Sequence, residues 1–169
     1  MCKTELHRVP QPAIRRVVAR ILLIDDDGDV RSVVGRMLAS AGHTVVEAES
    51  GRAGIVAADA AATVEPFDLV LTDVVMPGMD GAAVLNAFAR RVPRPKLVVM
   101  TGGSAKLRMD FLSIAPSLGA DAAIAKPFRA QQIIALISAT LSAGAQPPTP
   151  GIVRPGPSAL TVPQLRSSS

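Results

Sequence analysis

At 169 residues the chain is long enough to bury one substantial core and leaves little room for a second. Apolar residues make up 49% of it and aromatics only 2%, so the interior has to be built from Val, Leu, Ile, Ala and Met. The net charge of +4 belongs to the ends: residues 20–143 carry 12 Lys/Arg against 13 Asp/Glu, while the remainder carries 6 against 1, dispersed and without aromatics between them, which argues against specific nucleic-acid binding.

The single cysteine, Cys2, excludes an intrachain disulfide and a multi-cysteine zinc site. No run of about 18 apolar residues occurs, so no membrane span is expected and a cytoplasmic location is. Residues 1–19, with Pro10, Pro12 and the Arg15-Arg16 pair, read as a disordered basic extension, and an alternative start near Val18 would begin the chain directly before the first strand.

From residue 20 onward, short β-branched runs alternate with helical periodicities, the pattern of a parallel sheet covered by helices on both faces. The first strand is predicted over Arg20 to Asp25. A helix follows, with Val30, Val33, Val34, Met37, Leu38 and Ala41 on one apolar face and Gly42 as its stop. Thr44 to Ala48 is the second strand, after His43 in the turn, and Ser50 is placed to cap a second helix running to about Ala62. Phe67 to Asp73 is the third strand, and Asp80 or Gly81 opens the third helix. Met76 and Met79 read as loop packing.

Lys96 to Thr101 is the fourth strand. The fourth helix, from Ala105 to Leu118, carries Leu107, Phe111, Ile114 or Ala115, and Leu118 on one side, and Pro116 predicts a kink or early stop. Ala122 to Ala125 is the fifth strand, and a fifth helix from Phe128 to about Leu141 turns Ile133, Ile134, Ile137 and Leu141 inward, with Leu136 on another face. The stretch 144–169 is rich in Pro, Ser and Gly and reads as a disordered tail. Residues 20–143 thus form one α/β domain, a flavodoxin-like doubly wound sheet, in which ligands bind at the carboxyl ends of the strands.

Asp25 and Asp26 close the first strand, Asp73 the third, Thr101 the fourth and Lys126 the fifth, so all converge on one sheet edge. Three carboxylates held together repel one another unless a cation compensates, and a hard, oxygen-only donor set suits Mg²⁺. Thr101 offers a hydroxyl, Gly102 a backbone amide and Lys126 a compact charge able to balance a phosphate.

Ile21 to Asp26, the segment Asp73-Val-Val-Met-Pro-Gly-Met-Asp-Gly81, Thr101-Gly102 and Lys126-Pro127 resemble the receiver domain of bacterial two-component response regulators, over residues 20–143. The resemblance implies a (βα)5 sheet of order 2-1-3-4-5 and a stand-alone phosphoacceptor in a phosphorelay. Asp73 would attack phosphohistidine and become an acyl phosphate. Asp26 and Asp73 would bind Mg²⁺ directly with the backbone carbonyl of Val75, and Asp25 through coordinated water. Thr101, Gly102 and Lys126 would hold phosphoryl oxygens, with a cis Lys126-Pro127 peptide aiming the lysine inward. Implied partners are a histidine kinase or histidine phosphotransfer protein and a downstream protein target, with the chain a monomer or weak dimer.

Two departures stand out. The family commonly has an aromatic residue three positions before the lysine, where this chain has Ala123, and there is no Tyr or Trp anywhere. The stretch from Thr101 to Gly119 is also a few residues longer than in short family members, so activation is expected to move the Gly102–Leu112 segment. A phosphorylation-independent docking module is the alternative that Ala123 keeps open. Asp25-Asp-Asp27-Gly28 also resembles the opening of haloacid dehalogenase-like phosphatases, but that reading leaves Asp73 and its Met-Pro-Gly-Met-Asp-Gly segment unexplained. Asp27 and Asp29 are read as favouring the loop and helix start over metal. His7 and His43 are given no role, Asp80 reads as a helix cap, and the 26 residues after position 143 are too few and too Pro-rich for a helix-turn-helix.

Overall fold

The computed structural model describes residues 18–74, 76 and 81–143. Five strands alternate with five helices: β1 Arg20–Ile24, α1 Gly28–Ser40, β2 Thr44–Ala48, α2 Gly51–Ala61, β3 Leu69–Asp73, α3 Gly81–Ala89, β4 Lys96–Thr101, α4 Ala105–Ile114, β5 Ala122–Ala125 and α5 Ala130–Ser142. All neighbouring strands are parallel, in the order β2-β1-β3-β4-β5. Sequence and structure therefore agree on the doubly wound fold, and the strand order reverses between β1 and β3.

Parallel strands joined by helices are covered on both faces, which is why their sequences are nearly continuous apolar runs instead of alternating ones. Leu22, Ile24, Val70, Leu97 and Val99 face one core with Val84, Leu85 and Phe88 of α3, while Ile21, Leu23, Leu69, Leu71, Val98 and Met100 face the other with Val34 and Leu38 of α1 and Ile133 and Ile137 of α5. Burying this many Leu, Ile and Val side chains, each worth about 1.5–3 kcal/mol, provides the main force holding the strand ends in place.

Local chemistry fixes the element ends. Asp27 caps α1 by accepting the N–H groups of Asp29 (2.9 Å) and Val30 (3.1 Å), and Ser50 Oγ caps α2 by accepting the Ala53 N–H at 3.2 Å. After α1 the chain reverses through Gly42 at φ 97°, a left-handed conformation that favours glycine. Pro116 ends α4 as expected: the α-helix stops at Ile114 and a 3-10 turn, Ala115–Leu118, follows.

Three sequence expectations are adjusted. β1 ends at Ile24 and β3 begins at Leu69, although the Asp25 and Asp68 backbones still bond across to Ala48 and Arg20. Val33 is 41% exposed because only the Val34–Leu38 side of α1 meets the sheet. Of the expected alternatives Ile114 and Ala115, it is Ala115 that turns into the core, so that expectation stands. Ile134, Leu136 and Leu141 of α5 are all partly buried against the same core as Ile133 and Ile137, so Leu136 does not serve a separate face. The side chains of Leu107 and Phe111, and Val75, Met79, Asp80 and the two terminal stretches 1–17 and 144–169, lie outside the described residues.

Candidate functional site

Four of the five strands place residues of the constellation at or just beyond their carboxyl ends. β1 delivers Asp25 and Asp26, β3 ends on Asp73, β4 ends on Thr101, and Lys126 follows β5, where its backbone N–H donates to the Thr101 carbonyl at 2.7 Å. Asp73 pairs in register with Met100, which sets Thr101 one residue beyond it on the neighbouring strand. One carboxylate oxygen from each of Asp25, Asp26 and Asp73 lies within 4.8 Å of the others; Asp25 and Asp73 are buried and Asp26 is exposed. An all-oxygen donor set this compact can hold a metal ion.

Lys126 ties two of the acids together. Its Nζ donates to Asp73 Oδ2 at 2.6 Å and to Asp25 Oδ2 at 2.7 Å. Burial alone would lower the lysine's pKa, but the hydrogen bonds and attraction of both carboxylates outweigh it and hold the ammonium above its ordinary value. Asp25 is fully buried, and burial raises its carboxyl above the usual range, helped by the charge on Asp73 and opposed by Lys126 and by the Asp27 N–H, which it accepts at 3.0 Å. Asp73 Oδ1 also accepts the Val74 N–H at 2.6 Å, which orients the carboxylate.

Thr101 is 0% exposed, and its hydroxyl has no hydrogen-bond partner among the described residues. A buried hydroxyl left unsatisfied costs stability and is uncommon in native proteins. The Lys126-Pro127 peptide is cis. Beside Lys126 a groove of about 620 Å³ runs between α1 and the loops after β4 and β5, bordered by Val30, Val33, Met37, Gly103, Arg108 and Phe128.

Two residues with no role in the sequence reading join the site. Arg31 Nη1 donates to the Asp25 carbonyl at 2.6 Å, and Glu47 on β2 approaches the same guanidinium at 3.6 Å. A basic residue on the first helical turn after an acidic strand end was the available signal. Asp27 caps α1, in line with its reading as a loop and helix-start residue, Asp29 lies exposed in the first turn of α1, and His43 sits buried at the α1–β2 turn. Ala123 is partly buried against the α2–α3 core.

The response regulator receiver domain family matches residues 21–138, a stretch that takes in every site residue above. The DNA-binding transcriptional regulator NtrC of Escherichia coli K12 is 35% identical over 122 residues, covering 72% of this chain and 24% of the relative. The transcriptional regulatory protein TcrA of Mycobacterium tuberculosis H37Rv is 32% identical over 145 residues, covering 85% of this chain and 54% of the relative. This chain thus corresponds to between a quarter and about half of those relatives' lengths. Among solved structures, a receiver domain protein from Clostridium thermocellum superposes with a TM-score of 0.66 at 26% identity, over 74% of this chain and 95% of that one. With the fold, the acidic cluster and the lysine all accounted for by one match across most of its length, the chain belongs to the response regulator receiver family.

Proposed function

We propose that Asp73 accepts a phosphoryl group from the phosphohistidine of a histidine kinase or histidine phosphotransfer protein. In this step an Asp73 oxygen attacks phosphorus, the P–N bond breaks, and the imidazole leaves with the electron pair and takes up a proton, giving an aspartyl phosphate. The observation that carries the proposal is the pairing of Asp73 with Lys126 beside a buried, unpartnered Thr101 hydroxyl. Lys126 Nζ already grips one Asp73 oxygen, and the Thr101 hydroxyl stands ready to donate to a new one.

Asp26 and Asp73 would hold Mg²⁺ directly, Asp25 through water, and the Val75 carbonyl would complete the set; a cation held by these residues would supply charge neutralisation for the phosphoryl oxygens. Thr101 and the Gly102 amide would donate to the phosphoryl group, and Lys126 would balance its charge. The apolar border of the groove beside Lys126 suits the helix of a phosphodonor protein. The functional unit is taken as residues 20–143, acting in the cytoplasm; no described helix is long and apolar enough to cross a membrane.

With Ala123 in place of an aromatic switch, output is assigned to movement of the Gly102–Leu112 segment. Amide exchange in that segment should change on phosphorylation, and unchanged exchange would reject the assignment. The primary test is intact mass after incubation with Mg²⁺ and a small phosphodonor or kinase. Gain of one phosphoryl group by the wild type and none by Asp73→Ala supports the proposal. No gain from any donor supports docking without phosphorylation, and gain by both proteins means another residue is the acceptor.

A further inference from the structure

We propose that Arg31, held by Glu47, is a positioning residue that sets the β1–α1 acidic loop for its cation. The inference rests on the phosphoacceptor reading and concerns a layer of residues behind it.

The linkage starts at an absence. Gly35 on α1 faces β2, and a Cβ there would overlap the Glu47 carboxylate. The missing side chain opens a slot through which Glu47 reaches from the edge strand across the helix. Arg31 lies one helical turn before Gly35, so its guanidinium meets that carboxylate on the same helix face, Nε to Oε2 at 3.6 Å. The far end of the guanidinium then donates from Nη1 to the Asp25 carbonyl at 2.6 Å. The Arg31 side chain is only 19% exposed, against 43% for Glu47. The planar fork satisfies a carboxylate and a carbonyl at once, which a lysine could not do in the same geometry.

The consequence falls on the acids. With the Asp25 carbonyl held toward Arg31, the Asp25 carboxylate is left facing Lys126 and the Asp27 N–H, and Asp26 follows it into the cluster within 4.8 Å of Asp73. Partners of this kind behind metal ligands govern affinity by fixing ligand orientation.

Electrostatics makes the sign of the test decisive. Arg31 is a positive charge bonded to the backbone of the loop that carries Asp25 and Asp26, so if charge were its only contribution, removing it would strengthen cation binding. Positioning demands the reverse.

Mn²⁺ affinity can be followed by water-proton relaxation, with Mg²⁺ competition, alongside the metal-free unfolding midpoint and phosphorylation at limiting and saturating Mg²⁺. Arg31→Met should weaken Mn²⁺ binding about tenfold. Arg31→Lys should fall between it and the wild type. Gly35→Ala changes no charge and should weaken binding severalfold by displacing Glu47, as should Glu47→Gln. These losses should appear without a matching fall in the unfolding midpoint of Glu47→Gln and Gly35→Ala, and saturating Mg²⁺ should restore phosphorylation.

Wild-type affinity or tighter in Arg31→Met overturns the proposal. Wild-type affinity in both Glu47→Gln and Gly35→Ala overturns the part given to Glu47. A wild type that binds Mn²⁺ and takes phosphate, with variants that match it, rejects only this inference. A wild type that does neither rejects the phosphoacceptor reading and this inference with it.

Discussion

The ammonium of Lys126 stands 2.6 Å from Asp73 Oδ2, closing a contact between residues 53 apart in sequence at the ends of two strands separated by β4. The same nitrogen reaches Asp25 at 2.7 Å, so a single cation bridges two buried carboxylates. Breaking one side of a buried ion pair leaves an uncompensated charge, which costs more than the intact pair contributes.

Lys126→Met should therefore be destabilised by about 3–5 kcal/mol in metal-free buffer near neutral pH. Its deficit should shrink in acid. Asp25 has a raised carboxyl pKa already in the wild type, so the native state keeps a proton there at pH values where the unfolded chain, near 3.8, has lost it. That contribution is present at low pH and is lost as pH rises through the folded value. Removing Lys126 takes away an interaction that lowers the Asp25 pKa and so widens the window. The wild-type lysine works in the opposite range, its raised pKa giving stability present below 10.5 and lost as pH climbs past the folded value. Urea unfolding at pH 7 and pH 5 checks the trend, and equal deficits at both would contradict it.

Thr101→Val should separate stability from chemistry. The hydroxyl is buried and unpartnered among the described residues, so the isosteric valine removes an unsatisfied group and should leave the unphosphorylated protein unchanged or up to about 1 kcal/mol more stable. Phosphoryl transfer should slow by about tenfold to a hundredfold through loss of an oxygen donor. Thermal unfolding and intact-mass time courses give the two readouts, and a variant that is both less stable and equally fast would refute the assignment.

The same contrast between local and cross-strand information explains what the sequence revealed. Asp25, Asp26, Asp73, Thr101 and Lys126 each terminate an apolar run, and a parallel sheet brings such ends together, so the cluster was legible before any coordinates. The part of Asp27 at the start of α1 and the stop at Pro116 were legible because each acts within a few residues. Arg31 and Glu47 were not, since their meeting depends on the space above Gly35 and on the β1–β2 register that aligns Glu47 with Leu23. Val33 was placed on the buried face because helical periodicity defines a stripe without saying how much of it the sheet covers. Its 41% exposure places it at the rim of the groove beside Lys126.

His43 should make stability fall on mild acidification. Its ring is buried and its Nδ1 has no partner among the described residues, and burial lowers its pKa from the ordinary 6.5. Below that value the unfolded chain takes up a proton that the native state refuses, so stability declines as pH falls from about 6.5 toward the folded value, by at most about 1.4 kcal/mol per pH unit. Above 6.5 both states are neutral and the effect vanishes. His43→Leu should match the wild type at pH 7.5 and lose less stability by pH 5.5. Parallel curves across that range would show that the ring does not titrate as its burial requires.

Gly54→Ala tests how closely α2 lies on β1. A Cβ at this position would come within 2.9 Å of Ile24 Cγ1 and closer still to its Cδ1, and Ile24 is fully buried with Ala48 on the other side. Neither a β-branched core side chain nor the strand behind it can yield cheaply. The substitution improves intrinsic helix propensity by up to about 1 kcal/mol, but overpacking of this kind costs about 1–3 kcal/mol and should win. At Gly35 the obstructing group is the partly exposed end of Glu47, which can swing aside, so Gly35→Ala should be neutral or slightly stabilising even as it loosens the hold on Arg31. The denaturation midpoint of Gly54→Ala should fall while that of Gly35→Ala holds or rises. The pair isolates helix-to-sheet contact, because the same methyl is added to helix interiors on opposite faces of one sheet and only the rigidity of what it meets differs.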